Sequence, residues 1–264
     1  MELLDLVVYL LVGGVAGVLA GLLGVGGGIV IVPVLLWVFR LNQFDESVVA
    51  HLAVGTSLGS IIITSISSIR AHQRRAAILW PQVMRLAPGI ILGAWLGAVV
   101  ADLMPTAILQ RVFACFAVLV SIQMWLRVNP DAHRTLPGRL GMGGAGAIIG
   151  AISAVVGIGG GSLTVPFLSW CGINMRNAVA TSAACGLPIA VAGALGFLLA
   201  GWNEALLPQG SSGYIFWPAL LAIGVVSFLA APLGARLAHS LPVSSLKRIF
   251  AALLLVVGVK LFVG

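Results

Sequence analysis

Apolar positions gather into eight long runs, roughly residues 6–39, 48–69, 83–101, 106–126, 140–172, 177–200, 214–235 and 245–263. The stretches between them hold most of the charge. About 20 residues of helix cross roughly 30 Å of hydrocarbon, so six of the runs match a single crossing. The first and fifth are too long for one crossing, and each is interrupted by a glycine cluster. Residues 24–28 read Gly-Val-Gly-Gly-Gly and residues 157–161 read Gly-Ile-Gly-Gly-Gly. The pattern predicts an all-α polytopic membrane protein.

The two clusters occupy equivalent places in an internal repeat. Residues 17–37 align without a gap on 150–170, with nine identical positions that include the glycines, Pro33/Pro166 and Trp37/Trp170. Further on, Val54-Gly55-Thr56-Ser57 matches Val179-Ala180-Thr181-Ser182. Gly97, Pro105, Arg111 and Phe113 keep the spacing of Gly234, Pro242, Arg248 and Phe250. The chain therefore reads as a duplication of about 130 residues, with a first repeat over 1–132 and a second over 133–264.

Charge decides the relative orientation of the repeats. If all eight runs crossed once, the Lys and Arg residues would divide 8 to 6 between the two sides. If instead the first and fifth runs are hairpins that return to the face they entered, the division becomes 11 to 3. One face then holds Arg70, Arg74, Arg75, Arg85, Arg127, Arg134, Arg139, Arg176, Arg236, Lys247 and Arg248, leaving Arg40, Arg111 and Lys260 opposite. Positive residues concentrate on the cytoplasmic side, which favours the hairpins. Each repeat is then a glycine-broken helical hairpin followed by three transmembrane helices. The repeats are inverted, as in many secondary transporters, and both termini are extracytoplasmic. The sequence starts Met1-Glu2-Leu3-Leu4-Asp5, acidic where a secretory signal is basic, so the first apolar run is expected to stay in the protein.

Composition supports the membrane reading. Hydrophobic residues make up 60% of the 264 and charged residues 8%, with a mean hydropathy of +1.15. Soluble domains carry about a quarter charged residues. The basic balance of 14 Lys+Arg against 7 Asp+Glu invites a nucleic-acid reading, but the cations form no stripe or aromatic platform. They read as orientation signals, and no nucleic-acid partner is expected. Cys115, Cys171 and Cys185 lie far apart without metal-ligand spacing, which suits small apolar packers; Cys185 alone is placed for a sulfur-handling role.

The glycine clusters are the candidate site. Each glycine weakens a helix by about 1 kcal/mol relative to alanine, and a broken helix survives in a bilayer only inside protein or against a water-filled cavity. The apolar runs that follow begin new helices whose first amides lack internal partners. Two such helix starts meeting near the membrane centre would bind an anion without any charged side chain. Close helix packing is the plainer use of such glycines; duplication of the whole tract favours the site. The candidate contacts are Gly26, Gly27, Gly28, Gly159, Gly160 and Gly161. Ser162 is added as a possible cap of the second new helix, a role Ile29 cannot take in the first. Thr56, Ser57, Thr181 and Ser182 supply hydroxyls that would either donate to an oxyanion or bond back to their own helix. His51 would serve as a coupling group or as an interfacial anchor. His72, His133 and His239 fall in predicted loops. Trp80, Trp202 and Trp217 sit at run ends as interfacial residues.

The pairing of Gly24–Gly28, Val32-Pro33 and Val54-Gly55-Thr56-Ser57 with Gly157–Gly161, Val165-Pro166 and Ala180-Thr181-Ser182 resembles the TauE/SafE sulfite-exporter family over essentially the whole chain. The resemblance implies an inner-membrane transporter of sulfite, sulfonates or related small organosulfur anions, with no cofactor. Its partners are a small anionic solute and membrane lipid. Export is the expected direction, since a membrane potential negative inside favours anion efflux by roughly 2.3 kcal/mol per charge per 100 mV. An anion channel or a structural membrane subunit is the alternative. An intramembrane enzyme is disfavoured: Gly210-Ser211-Ser212-Gly213 has no evident His or Asp partner, and no HExxH metal motif occurs.

Overall fold

The computed structural model describes residues 3–125 and 136–240, with 251, 255, 258 and 259 beyond them. The last apolar run, 245–263, lies almost wholly outside the described residues, as do Pro242, Arg248, Phe250, Arg127, Arg134, Lys247, Lys260 and His133. The described chain forms α1 (Leu3–Leu23), α2 (Gly28–Leu41), α3 (Val49–Gln73), α4 (Trp80–Asp102), α5 (Thr106–Trp125), α6 (Arg139–Val156), α7 (Gly161–Trp170), α8 (Met175–Ala200) and α9 (Trp217–Ser240). A two-stranded antiparallel ribbon, β1 (Ser211–Ser212) with β2 (Ile215–Phe216), joins α8 to α9. Among the described residues, seven helices are long and apolar enough to cross a membrane. At 14 and 10 residues, α2 and α7 reach about half as far.

α1 and α2 are the limbs of a hairpin. A Cβ on Gly27, at the start of α2, would stand 2.7 Å from the carbonyl oxygen of Ala16, well inside α1. At the other end of α2, Asn42 donates to the carboxylate of Asp5 in the first turn of α1, 3.1 Å away. So α2 runs back to the end from which α1 set out. α1 continues past the level of Gly27 before the chain reverses through Gly24–Gly27.

Small residues bring helices from different halves into backbone contact. Gly13, Gly17 and Gly21, one turn apart on α1, face the carbonyls of Ile223, Ser227 and Ala231 on α9. Gly89, Gly93 and Gly97 on α4 face Gly143, Ala147 and Ala151 on α6, and Gly146 and Gly150 of α6 face back toward Leu86 and Ile90. Lipid tails compete poorly for such surfaces, where close approach gains van der Waals contact along the whole seam. α6 is the repeat counterpart of α1, and α4 of α9, so the two seams are reciprocal.

α3 and α8 pass through the middle of the bundle and pack against each other. Outward faces carry Leu92, Leu96, Leu221 and Leu229, exposed as a lipid-facing surface requires. Trp80, Trp202 and Trp217 are also exposed at helix ends. The expectation of loops at His72 and His239 is corrected: α3 runs on to Gln73 and α9 to Ser240, which places each histidine in a last turn.

Candidate functional site

The two glycine tracts meet. The amide of Gly159 donates to the carbonyl of Val25 at 3.1 Å, and a Cβ on Gly26 would stand 2.9 Å from the Cα of Gly159. Gly28 abuts the carbonyl of Gly157, and Gly161 abuts that of Gly24, a matched pair of close approaches. Both new helices start from a left-handed glycine, Gly27 at φ 81° and Gly160 at φ 75°. A side chain there would cost roughly 1–2 kcal/mol. The tracts lie beside the middles of the two central helices: Ile61, the midpoint of α3, touches the positions of Gly26 and Gly28, and Gly186 of α8 faces the carbonyl of Gly159.

The Thr-Ser pairs hold this junction together. Ser57 donates to the carbonyl of Gly157 at 2.8 Å, and Ser182 donates to that of Gly24 at 3.1 Å. In an unbroken helix those carbonyls would accept from the amides of Gly161 and Gly28, four residues on. The serines take over the acceptors and leave those amides without them. Thr56 accepts from the amide of Phe216 at 2.9 Å, and Thr181 from that of Leu79 at 3.1 Å. The same two bonds thus recur in each half. In this conformation the hydrogens of Ser57 and Ser182 are committed to the protein, and the threonines tie down the segments that lead into α9 and α4. Neither threonine bonds back to its own helix, although Ser60 does so to Thr56 and Thr64 to Ser60.

Among the described residues, the buried amides of Gly26, Gly27 and Gly28, and those of Gly160, Gly161 and Ser162, donate to no protein acceptor. Leaving a buried donor unmet costs about 1–3 kcal/mol, so six around one junction make a strong site for hydrogen-bond acceptors. The Oγ of Ser162 is buried and also lacks a protein partner. The expected capping role falls instead to Gly160, with no side-chain bond; the left-handed glycine already turns the chain into the helix. Ser153 and Thr164 place two more unpartnered hydroxyls near 3.5 Å from a Cβ built on Gly160.

Sequence reasoning missed a narrow cleft on the first break. It lies between α1, α3 and α8 and is lined by Ala20, Gly24, Gly26, Ser65, Ser68, Ala183 and Gly186. It is too tight at present to hold a water molecule. Ser68 has a buried, unpartnered Oγ. The signal for these serines was the hydroxyl-rich face of α3, which has no counterpart in the second half.

His51 and His72 are both packed inside the bundle. His51 is buried, with Nε2 3.0 Å from the carbonyl of Ala101, Nδ1 3.3 Å from Thr106 and its ring 5.0 Å from that of Tyr214. That setting suits the anchoring role. His72 is fully buried, with Nε2 3.0 Å from the carbonyl of Gly21 near the end of α1. Cys185 is fully buried on the same face as Ser182. Among the described residues, no three His, Cys, Asp or Glu side chains converge to hold a metal.

A family model described as sulfite exporter TauE/SafE matches residues 9–261. A probable membrane transporter protein of Haemophilus influenzae is 40% identical over 258 residues, covering 96% of each chain. Others from Methanocaldococcus jannaschii and Bacillus subtilis are 27% and 26% identical, each covering at least 95% of both chains. No solved structure matches the chain. With seven candidate spans and two facing glycine breaks, this multi-pass membrane transporter belongs to the TauE/SafE sulfite exporter family.

Proposed function

We propose that the protein is a secondary transporter of the inner membrane that exports sulfite or small sulfonates, binding the anion where the two broken hairpins meet. One observation carries this reading: the starts of α2 and α7 present unmet amides toward one buried junction. Aligned peptide dipoles place about half a positive charge at each helix start, which favours an anion without a cationic side chain. The name of the matching family supports an oxidised sulfur anion.

In this reading Gly26, Gly27, Gly28, Gly159, Gly160, Gly161 and Ser162 offer donors, while Thr56, Ser57, Thr181 and Ser182 fix the breaks in shape. The halves 1–132 and 133–264 are inverted repeats with both termini extracytoplasmic. The reciprocal seams, α1 on α9 and α4 on α6, support a twofold relation between them. Alternating access follows when the remaining helices rock about the junction.

The test is flux of radiolabelled sulfite and methanesulfonate from proteoliposomes, with and without an imposed pH gradient. Saturable flux that responds to the gradient or to trans anion is the expected outcome. Non-saturable flux that ignores both would replace the transporter with a channel, and absence of oxyanion flux by folded protein would remove the reading.

A further inference from the structure

The hydroxyls of α3 divide into two sets. Ser60 and Thr64 bond to their own helix, Thr64 also lies 2.5 Å from Ser227, and Ser67 donates to the carbonyl of Phe228. Ser68 Oγ is buried without a protein partner, and Ser65 is only 3% exposed. Both line the cleft beside Gly24 and Gly26, and Ser65 Oγ would lie 3.3 Å from a Cβ on Gly186. Buried hydroxyls without partners are costly, and an apolar residue in their place would remove that cost.

The repeat shows what is special about this side. Counting from Thr56-Ser57 and Thr181-Ser182, the counterparts of Ala183 and Gly186 are Leu58 and Ile61, and those of Ser65 and Ser68 are Ala190 and Gly193. The twofold-related place is therefore filled. Leu58 and Ile61 are fully buried, and a Cβ on Gly193 would stand 2.9 Å from Leu58 Cδ1. On one side Ser65 and Ser68 face small residues; on the other their counterparts carry no hydroxyl, bulky Leu58 and Ile61 take the place of Ala183 and Gly186, and the unpartnered hydroxyl is that of Ser153, the counterpart of Ala20.

Resting on the anion-transport reading above, we propose that the solute is bound in the cleft between α1, α3 and α8, with Ser65 and Ser68 donating to its oxygens, and that Leu58 and Ile61 close the equivalent place in the other half. The ligand class is a compact oxyanion, sulfite or the headgroup of a sulfonate, met by hydroxyl and amide hydrogens without a cation. The cleft is too narrow for water in this structure, so loading it requires α8 to draw away from α1 and α3. Ser65 and Ser68 lie on the half of α3 that leads to Arg74 and Arg75. With that loop cytoplasmic, the cleft loads from the cytoplasm, as an exporter requires.

The experiment uses the full-length protein, purified for melting measurements and reconstituted for sulfite efflux. Ser65→Ala and Ser68→Ala should each raise the half-saturating sulfite concentration about tenfold, the effect of losing one hydrogen bond to a charged acceptor. Maximal rate and ligand-free melting temperature should stay near wild type. Ser68→Thr, which keeps the hydroxyl, should remain within about threefold. Leu58→Ala should leave the half-saturating concentration unchanged. Sulfite should raise the melting temperature of wild type, and do so less for the two alanine variants. If both alanine variants saturate and melt with sulfite as wild type does, the cleft is not the binding place, while the transport reading stands. If folded wild type neither moves nor is stabilised by any oxyanion, the reading beneath the proposal fails and takes the proposal with it.

Discussion

The hydroxyl of Ser57 donates to the carbonyl of Gly157, 2.8 Å away and 100 positions along the chain. Ser182 and Gly24 form the same bond in reverse, from the second half to the first. Each serine satisfies a carbonyl that a continuous helix would have used itself, so each break is held open by the opposite half.

Removing either serine should therefore destabilise the fold. Ser57→Ala and Ser182→Ala each leave a buried carbonyl unpaired, a loss of about 1–3 kcal/mol. For a chain of this size each kcal/mol lowers the midpoint by about 2–4 °C. Thermal melting in detergent should show similar falls for both variants, and little fall for Ser57→Thr. A wild-type midpoint in both would mean that the breaks do not depend on these bonds.

The glycines should differ in a defined order. Alanine at Gly28 or Gly161 drives a methyl into the carbonyl of the opposite break, so these variants should lose transport outright. At Gly27 the obstacle is the backbone of Ala16, whereas at Gly160 it is the flexible tip of Ile189. Gly160→Ala should therefore retain more transport than Gly27→Ala, although both need a left-handed residue. Initial rates at saturating sulfite, normalised to folded protein, give the ranking; equal activities would mean that contacts at the junction do not control transport.

His51 offers a clean separation between anchor and coupling group. Both ring nitrogens face oxygens of the α4–α5 corner. His51→Gln should lower the melting temperature while leaving the pH profile of sulfite efflux in place. A displaced profile would return His51 to a coupling role.

Orientation is testable by reporter fusion. Alkaline phosphatase joined to either terminus should be active and green fluorescent protein dark. A cysteine introduced at Arg75 should react with an impermeant maleimide only after the cell is opened. Opposite signals at the two ends would sink the inverted arrangement.

Much of this architecture was legible because membrane helices advertise their length and the glycine tracts their breaks. Leu23 and Val156 end their helices where the tracts begin, as those signals imply, while α2 and α7 start one residue earlier than expected, on the last glycine of each tract. His72 was misplaced because Arg-Ala-His-Gln-Arg-Arg reads as solvent-facing, yet the helix continues with His72 turned inward to Gly21 and Gln73, Arg74 and Arg75 outward. Ser162 resembled a cap because the sequence does not reveal that Gly160 adopts positive φ. Ser65 and Ser68 escaped notice because attention to residues shared by both repeats passes over those present in only one.

The seam between α1 and α9 has a consequence for biogenesis. About 190 residues separate the end of α1 from the start of α9, so at 5–20 residues per second the first helix waits roughly 10–40 s for its partner. During that interval the ridge of Gly13, Gly17 and Gly21 faces lipid, a smooth face with no polar side chain to recruit a wrong neighbour. Insertion into the bilayer and assembly of the bundle are thus separated in time, and a late-emerging helix completes a surface laid down at the outset.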